Sequence, residues 1–308
     1  MNSYKKKNTI YICIIVLLLV AISVCFGIYL NIDKDEAEIS SDLSVTHLED
    51  EFVVIDDPII KHYRETWANN KQINNDYVGE LVFDSGLVEC SFVQAKSIYD
   101  SNGDLYHCFN LDGTLVQDGV DRTGNDVYIY TNWKDMSYDY NILGGSIFMD
   151  YRNTLGDQNL LVYGHHFSEN GGNDPERIKA FTPLEKLMSQ DNYEENKIVK
   201  IYLENEVREY ELAYVYVFDS NDDYYWDNCQ YWRTNYNYDD YSGTSDDNYY
   251  QNYIESLDKV SLYDTGVEIT PSDINSNKTL TLQTCISNHA GELYEILVFR
   301  QNFIKAYQ

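Results

Sequence analysis

The chain has 308 residues, with 22 basic against 51 acidic side chains and a net charge of -29. A surface so negative repels phosphate backbones and excludes nucleic acid as an expected partner. The hydrophobic share of 44% and aromatic share of 15% are enough for a packed core and exclude global disorder; four prolines exclude long extended linkers.

The N-terminus begins "MNSYKKK" and runs into an uncharged apolar stretch from about Ile10 to Leu30. About 20 apolar residues span the hydrocarbon core as a helix. Lysines at 5, 6 and 7 hold the short end in the cytoplasm and place everything after Asn31 outside. The rival reading is a cleaved signal peptide. Its apolar core is shorter, about 7–15 residues, and Phe26-Gly27-Ile28-Tyr29-Leu30 offers no clear cleavage site. The expected organisation is therefore a cytoplasmic tail (1–8), a single transmembrane anchor (9–30), an acidic stalk (31–56) and one outer domain (57–308).

Cys13 and Cys25 lie in the apolar run and read as small hydrophobes. Cys90, Cys108, Cys229 and Cys285 fall in the outer domain, where two disulfides are open to them. Their spacing is not that of a zinc site, and no metal or cofactor is expected.

Past the stalk, Ile60, Tyr63, Trp67 and Ile73 recur at helical spacing, and a strand follows at Val78–Phe83. Seven further runs, "LVECSFVQ", "DVYIYTN", "GGSIFMDY", "NLLVYGHH", "KIVKIYLE", "REYELAYVYVFD" and "KTLTLQTC", read as strands, and "ELYEILVFRQNFIKAY" closes the chain in the same way. About eight strands with few helices predict a mainly β, closed or nearly closed barrel. "DPERIKAFTPLEKLMS" and "DDNYYQNYIESLDKVSLY" interrupt it as helices. Residues 219–253, dense in Asp, Asn and Tyr, form an insertion, read either as a solvated surface excursion or as a lid or partner surface. No internal repeat is evident. Asp100, Asn102 and Asp104 begin like an EF-hand loop, but its twelfth position is Leu111, where a bidentate Glu is needed.

The chemistry centres on Cys285. A thiol at its ordinary pKa of about 8.5 is mostly protonated at neutral pH, so a nucleophilic cysteine needs a partner, usually a histidine from elsewhere in the chain. In "TLTLQTC", Leu280, Leu282 and Thr284 share one face and Thr279, Thr281, Gln283 and Cys285 the other. Cys285 thus ends a strand on its polar face. A buried structural cysteine fits this spacing as well as a nucleophile does. His165 and His166 close another strand directly after Gly164, where a glycine lets neighbouring groups approach closely. His289 reaches Cys285 only if its loop folds back, and His62 and His107 read as packing or surface residues.

Several blocks together resemble the sortases, and among them class B. They are "YRETWANNKQINNDYVGELVF", "GGSIFMDYRN", "LLVYGHHF", "LEKLMSQDNYEENKIVKIYLENEVREYEL" and "SLYDTGVEITPSDINSNKTLTLQTC", the last ending on a Thr-Leu-x-Thr-Cys motif. They cover about residues 60–308 in family order. The resemblance implies a sortase β-barrel with helical insertions and an N-terminal helix. It also implies a cysteine transpeptidase on the outer face of a Gram-positive type membrane. Such an enzyme cuts a C-terminal sorting signal of a secreted protein after threonine. It holds the acyl part as a thioester and passes it to an amine of a cell-wall precursor or a pilin. Carried onto this chain, the resemblance makes Cys285 the nucleophile and His165 the acid/base, with Thr284, Gln283 and Tyr163 beside them as substrate-binding residues.

The family also places an arginine on the strand after the cysteine. The one arginine after Cys285 is Arg300, fifteen residues on, and it is taken for that role. The competing alignment puts Glu295 or Tyr294 there. An acid near a thiolate opposes its ionisation, which counts against Glu295.

Overall fold

The computed structural model describes residues 57–96, 99–110, 112–117, 122, 124–138, 145–167, 180–231, 249–269, 278–286 and 291–307. The expected tail, anchor and stalk lie outside these residues, as do His289 and the middle of the 219–253 insertion. Among the described residues, no helix is long and apolar enough to cross a membrane.

Eight strands close into a barrel, as expected. They are β1 (Tyr77–Phe83), β2 (Glu89–Val93), β3 (Ile147–Met149), β4 (Asn159–Tyr163), β5 (Ile198–Tyr202), β6 (Glu206–Asp219), β7 (Thr279–Cys285) and β8 (Leu293–Ala306). Their order around the barrel is β1-β2-β3-β4-β7-β8-β6-β5. Closure leaves no strand edge unpaired. Two neighbours run parallel, β2 with β3 and β4 with β7; the other pairs are antiparallel.

Period-two alternation builds the interior. Leu160 and Val162 from β4, Leu280 and Leu282 from β7, and Leu297 and Phe299 from β8 point inward to one core with Leu81, Phe83 and Phe92. Each such side chain stabilises the fold by about 1.5–3 kcal/mol relative to exposure. On the outer face of the same strands, Leu161, Ile296 and Val298 pack under a helix at Tyr249–Val260 through its Tyr253, Ile254 and Leu257. The helix reading of that segment holds. "FTPLEKLMS" turns as a 3₁₀ helix over Thr182–Met188, whose Leu184 and Leu187 plug the barrel.

The first helix, α1, spans Pro58–Ile73. Asp57 caps it by accepting the Ile59 N–H at 2.8 Å, and Pro58 occupies a first-turn position where no N–H is needed. Ile60 and Tyr63 are buried on the barrel and the Trp67 indole donates to the Val78 carbonyl, but Ile73 is exposed.

Two sequence readings need correction. "DVYIYTN" is not a strand: Asp126–Ile129 forms one helical turn, α2, which buries the consecutive residues Val127 and Tyr128, as no half-buried strand does. A repeat is also present. Tyr99↔Leu105 and Phe109↔Leu115 are matching bridges ten residues apart. In each, the N–H of the first polar residue bonds a carbonyl four residues on, Asp100 to Asp104 and Asn110 to Thr114. Gly103 and Gly113 take the same place with φ of 86° and 78°, a conformation that favours glycine. The EF-like spacing is explained by this turn: Asp100 Oδ1 accepts the N–H groups of Asn102 and Asp104.

Candidate active site

The parallel register between β4 and β7 decides the geometry. Asn159 lies beside Thr279, Leu161 beside Thr281 and Tyr163 beside Gln283. The ladder continues one step further, with the Gly164 N–H donating to the Gln283 carbonyl at 3.1 Å. Two residues past Tyr163–Gln283 stand His165, just beyond the end of β4, and Cys285, the last residue of β7. Neighbouring strands are about 4.8 Å apart, so the two backbones end side by side.

Both glycines near this point are required. Gly164 faces inward, where a Cβ would lie 2.5 Å from the Phe181 ring. At Gly145 a Cβ would drive into the Ile129 carbonyl and come within 2.7 Å of His165 Nε2. The His165 ring rests in this niche. Its Nε2 is hydrogen-bonded to the Ile129 carbonyl at the end of α2, and Tyr130 stacks on it at 6.0 Å with Phe167 beyond. Burial lowers its pKa, against the raising effect of the Ile129 bond. The imidazole is thus turned toward α2. Among the described residues, no hydrogen bond joins it to Cys285.

Cys285 is half-buried, and all four cysteines of the described residues are free thiols. Burial pushes the Cys285 thiol up, while a hydrogen bond from the Gly291 backbone N–H pulls the other way. Gly291 reaches the sulfur from the turn into β8 with φ of 87°. In the arrangement described, then, burial disfavours the charged form of both groups, and the ring is bonded to Ile129 rather than to the sulfur.

The substrate-binding expectations divide. Gln283 lies half-buried on the outer face next to Cys285. Tyr163 shares that face, but its hydroxyl donates to Asp150 Oδ2 at 2.7 Å. Burial alone would raise the Asp150 carboxyl; the two-pronged bond from Arg152, at 2.6 and 2.7 Å, holds it below the usual range. Thr284 does not face the site. It points into the barrel, 1% exposed, because its neighbours Gln283 and Cys285 take the outer face.

Arg300 is not brought to Cys285 either. It pairs with Thr279, while Cys285 pairs with Tyr294 and Thr284 with Glu295. Six residues of strand, about 20 Å, separate the two ends of β7. Arg300 instead donates to the Glu268 carbonyl at 3.0 Å and lies 3.6 Å from Glu211. The physical reason is the length of β8: its fourteen residues run along β6, with two register shifts, and Tyr294 falls opposite the cysteine.

Sequence reasoning missed Tyr231. It is buried against Phe218, at 5.2 Å, and its carbonyl accepts from the Asn159 side chain at 3.1 Å. It sits in the Tyr-rich insertion, where nothing in the local pattern marks one tyrosine as inward.

No family model matches the chain, and no curated protein matches it. Solved structures do. A Staphylococcus aureus sortase B in complex with its substrate superposes with a TM-score of 0.53 at 20% identity, covering 78% of this chain and 85% of that one. A Clostridium perfringens sortase B gives 0.52 at 20% identity, over 77% and 99%. The chain has the class B sortase fold. A further sortase B, complexed with triglycine, gives 0.53 at 20% identity over 80% and 90%. The sortase fold accounts for the barrel, its N-terminal helix and the convergence of β4 and β7.

Proposed function

We propose that the protein is a class B-like sortase, a membrane-anchored cysteine transpeptidase acting outside the cell. It cleaves a C-terminal sorting signal after threonine and transfers the acyl group to an amine of a cell-wall precursor or a pilin. The observation that supports this reading is the β4–β7 register, which pairs Tyr163 with Gln283, two residues before His165 and Cys285 in their respective segments. The Cys285 thiol passes its proton to the His165 ring, swung off the Ile129 carbonyl, and attacks the scissile carbonyl. The imidazolium then protonates the leaving amine. The incoming amine reverses these steps. One solved neighbour holds a substrate and another holds triglycine, which supports a peptide donor and an amine acceptor. The apolar run at 10–30 supports the anchor.

The test is cleavage of a peptide library of sorting signals, read by mass spectrometry with and without an amine. Transfer product that disappears in Cys285→Ala supports the reading; cleavage unchanged by that substitution ends it.

A second reading rests on the burial that disfavours a charged Cys285 and a charged His165, and on Arg300 lying at the far end of β7. On that reading the barrel is a catalytically weak or inactive surface-binding domain. A thiol that resists a mild alkylating reagent at neutral pH, together with no transfer product, favours it.

A further inference from the structure

A thioester-forming site must stabilise the negative charge that develops on the acyl oxygen, and backbone or side-chain donors do this where no cation is at hand. Among the described residues, no arginine or lysine is hydrogen-bonded or ion-paired to Cys285, and the candidate arginine lies at the other end of the strand. What faces Cys285 directly is Tyr294. The two form a cross-strand pair on β7 and β8, so their side chains leave the sheet on the same face with Cβ atoms about 5 Å apart. Tyr294 is half-buried, its ring lies 6.5 Å from Phe218, and no hydrogen-bond partner holds its hydroxyl among the described residues. The neighbouring phenol is different: Tyr163, level with Gln283, is already committed to Asp150.

We propose that Tyr294 is a catalytic residue whose hydroxyl donates a hydrogen bond to the acyl oxygen during thioester formation at Cys285, from the position directly opposite the nucleophile. The inference rests on Cys285 acting as the nucleophile. As sulfur bonds to the carbonyl carbon, the carbonyl π pair moves onto oxygen and the Tyr294 O–H bond is drawn to it without transferring its proton. When the pair returns, the C–N bond breaks and the amine leaves with the proton held by His165. A phenol with its pKa raised by burial, and further by the adjacent Cys285, keeps its proton through this cycle. The Gly291 N–H, already donated to the sulfur, acts on the other reacting atom.

The test compares two reactions of the full-length chain at the same thiol. p-Nitrophenyl acetate acetylates Cys285 through an oxyanion; iodoacetamide alkylates it without one. In Tyr294→Phe, which keeps the ring against Phe218, acetylation slows by about 10²-fold while alkylation and the melting temperature stay unchanged. Acetylation within twofold of wild type, or a parallel fall in both rates, overturns the role of Tyr294. A wild-type chain that is alkylated but never acetylated at Cys285 removes the nucleophile itself, and the donor with it.

Discussion

Thr284 and Glu295 face each other across the β7–β8 ladder, both 1% exposed, and neither side chain makes a hydrogen bond within the barrel. They sit on the inner face directly behind Cys285 and Tyr294. Burial, and then the charge of Glu185, push the Glu295 carboxyl up to about 8. The acid is thus neutral where most carboxylates are charged, which fits its place in an apolar interior.

Stability should therefore decline with pH. The folded pKa of about 8 lies above the unfolded carboxyl value of about 4.3, so the folded chain binds the extra proton. The advantage of the neutral acid is full below the unfolded value and is lost as pH rises toward 8, a change on the order of a few kcal/mol. Melting temperatures between pH 5 and 8.5 should fall in wild type and stay flatter in Glu295→Gln. Parallel curves for the two proteins would place the titrating group elsewhere.

Cys285 should behave as a weakly acidic thiol until its histidine moves. Burial raises it, and only the Gly291 N–H among the described residues pulls the other way. Alkylation in the absence of substrate should accelerate with a midpoint above the ordinary thiol value of about 8.5, and His165→Ala should leave that midpoint nearly unchanged. Fast alkylation at pH 6, lost in His165→Ala, would reveal a standing ion pair.

Gly145→Ala should disable the site. The added methyl meets the Ile129 carbonyl and the His165 ring together, and backbone cannot yield as a side-chain tip does. Overpacking of this kind costs about 1–3 kcal/mol and displaces the imidazole. Transfer activity should drop by at least tenfold with a lowered melting temperature. Activity and melting temperature both equal to wild type would show that the niche does not hold the ring.

Arg300→Ala should spare catalysis. The arginine serves the far end of the barrel, where it bonds the Glu268 carbonyl and lies near Glu211. Its removal should lower stability by about 1 kcal/mol and change kcat/KM by less than threefold. A hundredfold loss of kcat/KM at unchanged stability would return it to the active site.

Much of this was legible in the chain because alternation is a local signal. "TLTLQTC" alone assigns Leu280 and Leu282 inward and Cys285 outward, and the barrel interior has them so. Gly164 before His165 marks a close approach, realised by the Phe181 ring. The misplacement of Arg300 has a different origin. Its distance from Cys285 depends on where β7 turns into β8 and on the bulges that set β8 against β6, long-range terms with no local mark. The same alternation already sets Thr284 on the inward face with Leu280 and Leu282, against the substrate-binding role that the resemblance gives it. α2 reads as a strand because Val127, Tyr128 and Ile129 carry too short a pattern to separate a helical turn from a buried strand.

The most direct measurement is the intact mass of the full-length chain after incubation with sorting-signal peptides, before and after adding triglycine. An acyl adduct should form on Cys285 that triglycine releases as a new peptide, with no adduct in Cys285→Ala. An adduct that persists in Cys285→Ala, or a wild-type chain that never gains mass while its thiol remains open to iodoacetamide, would contradict the proposed function.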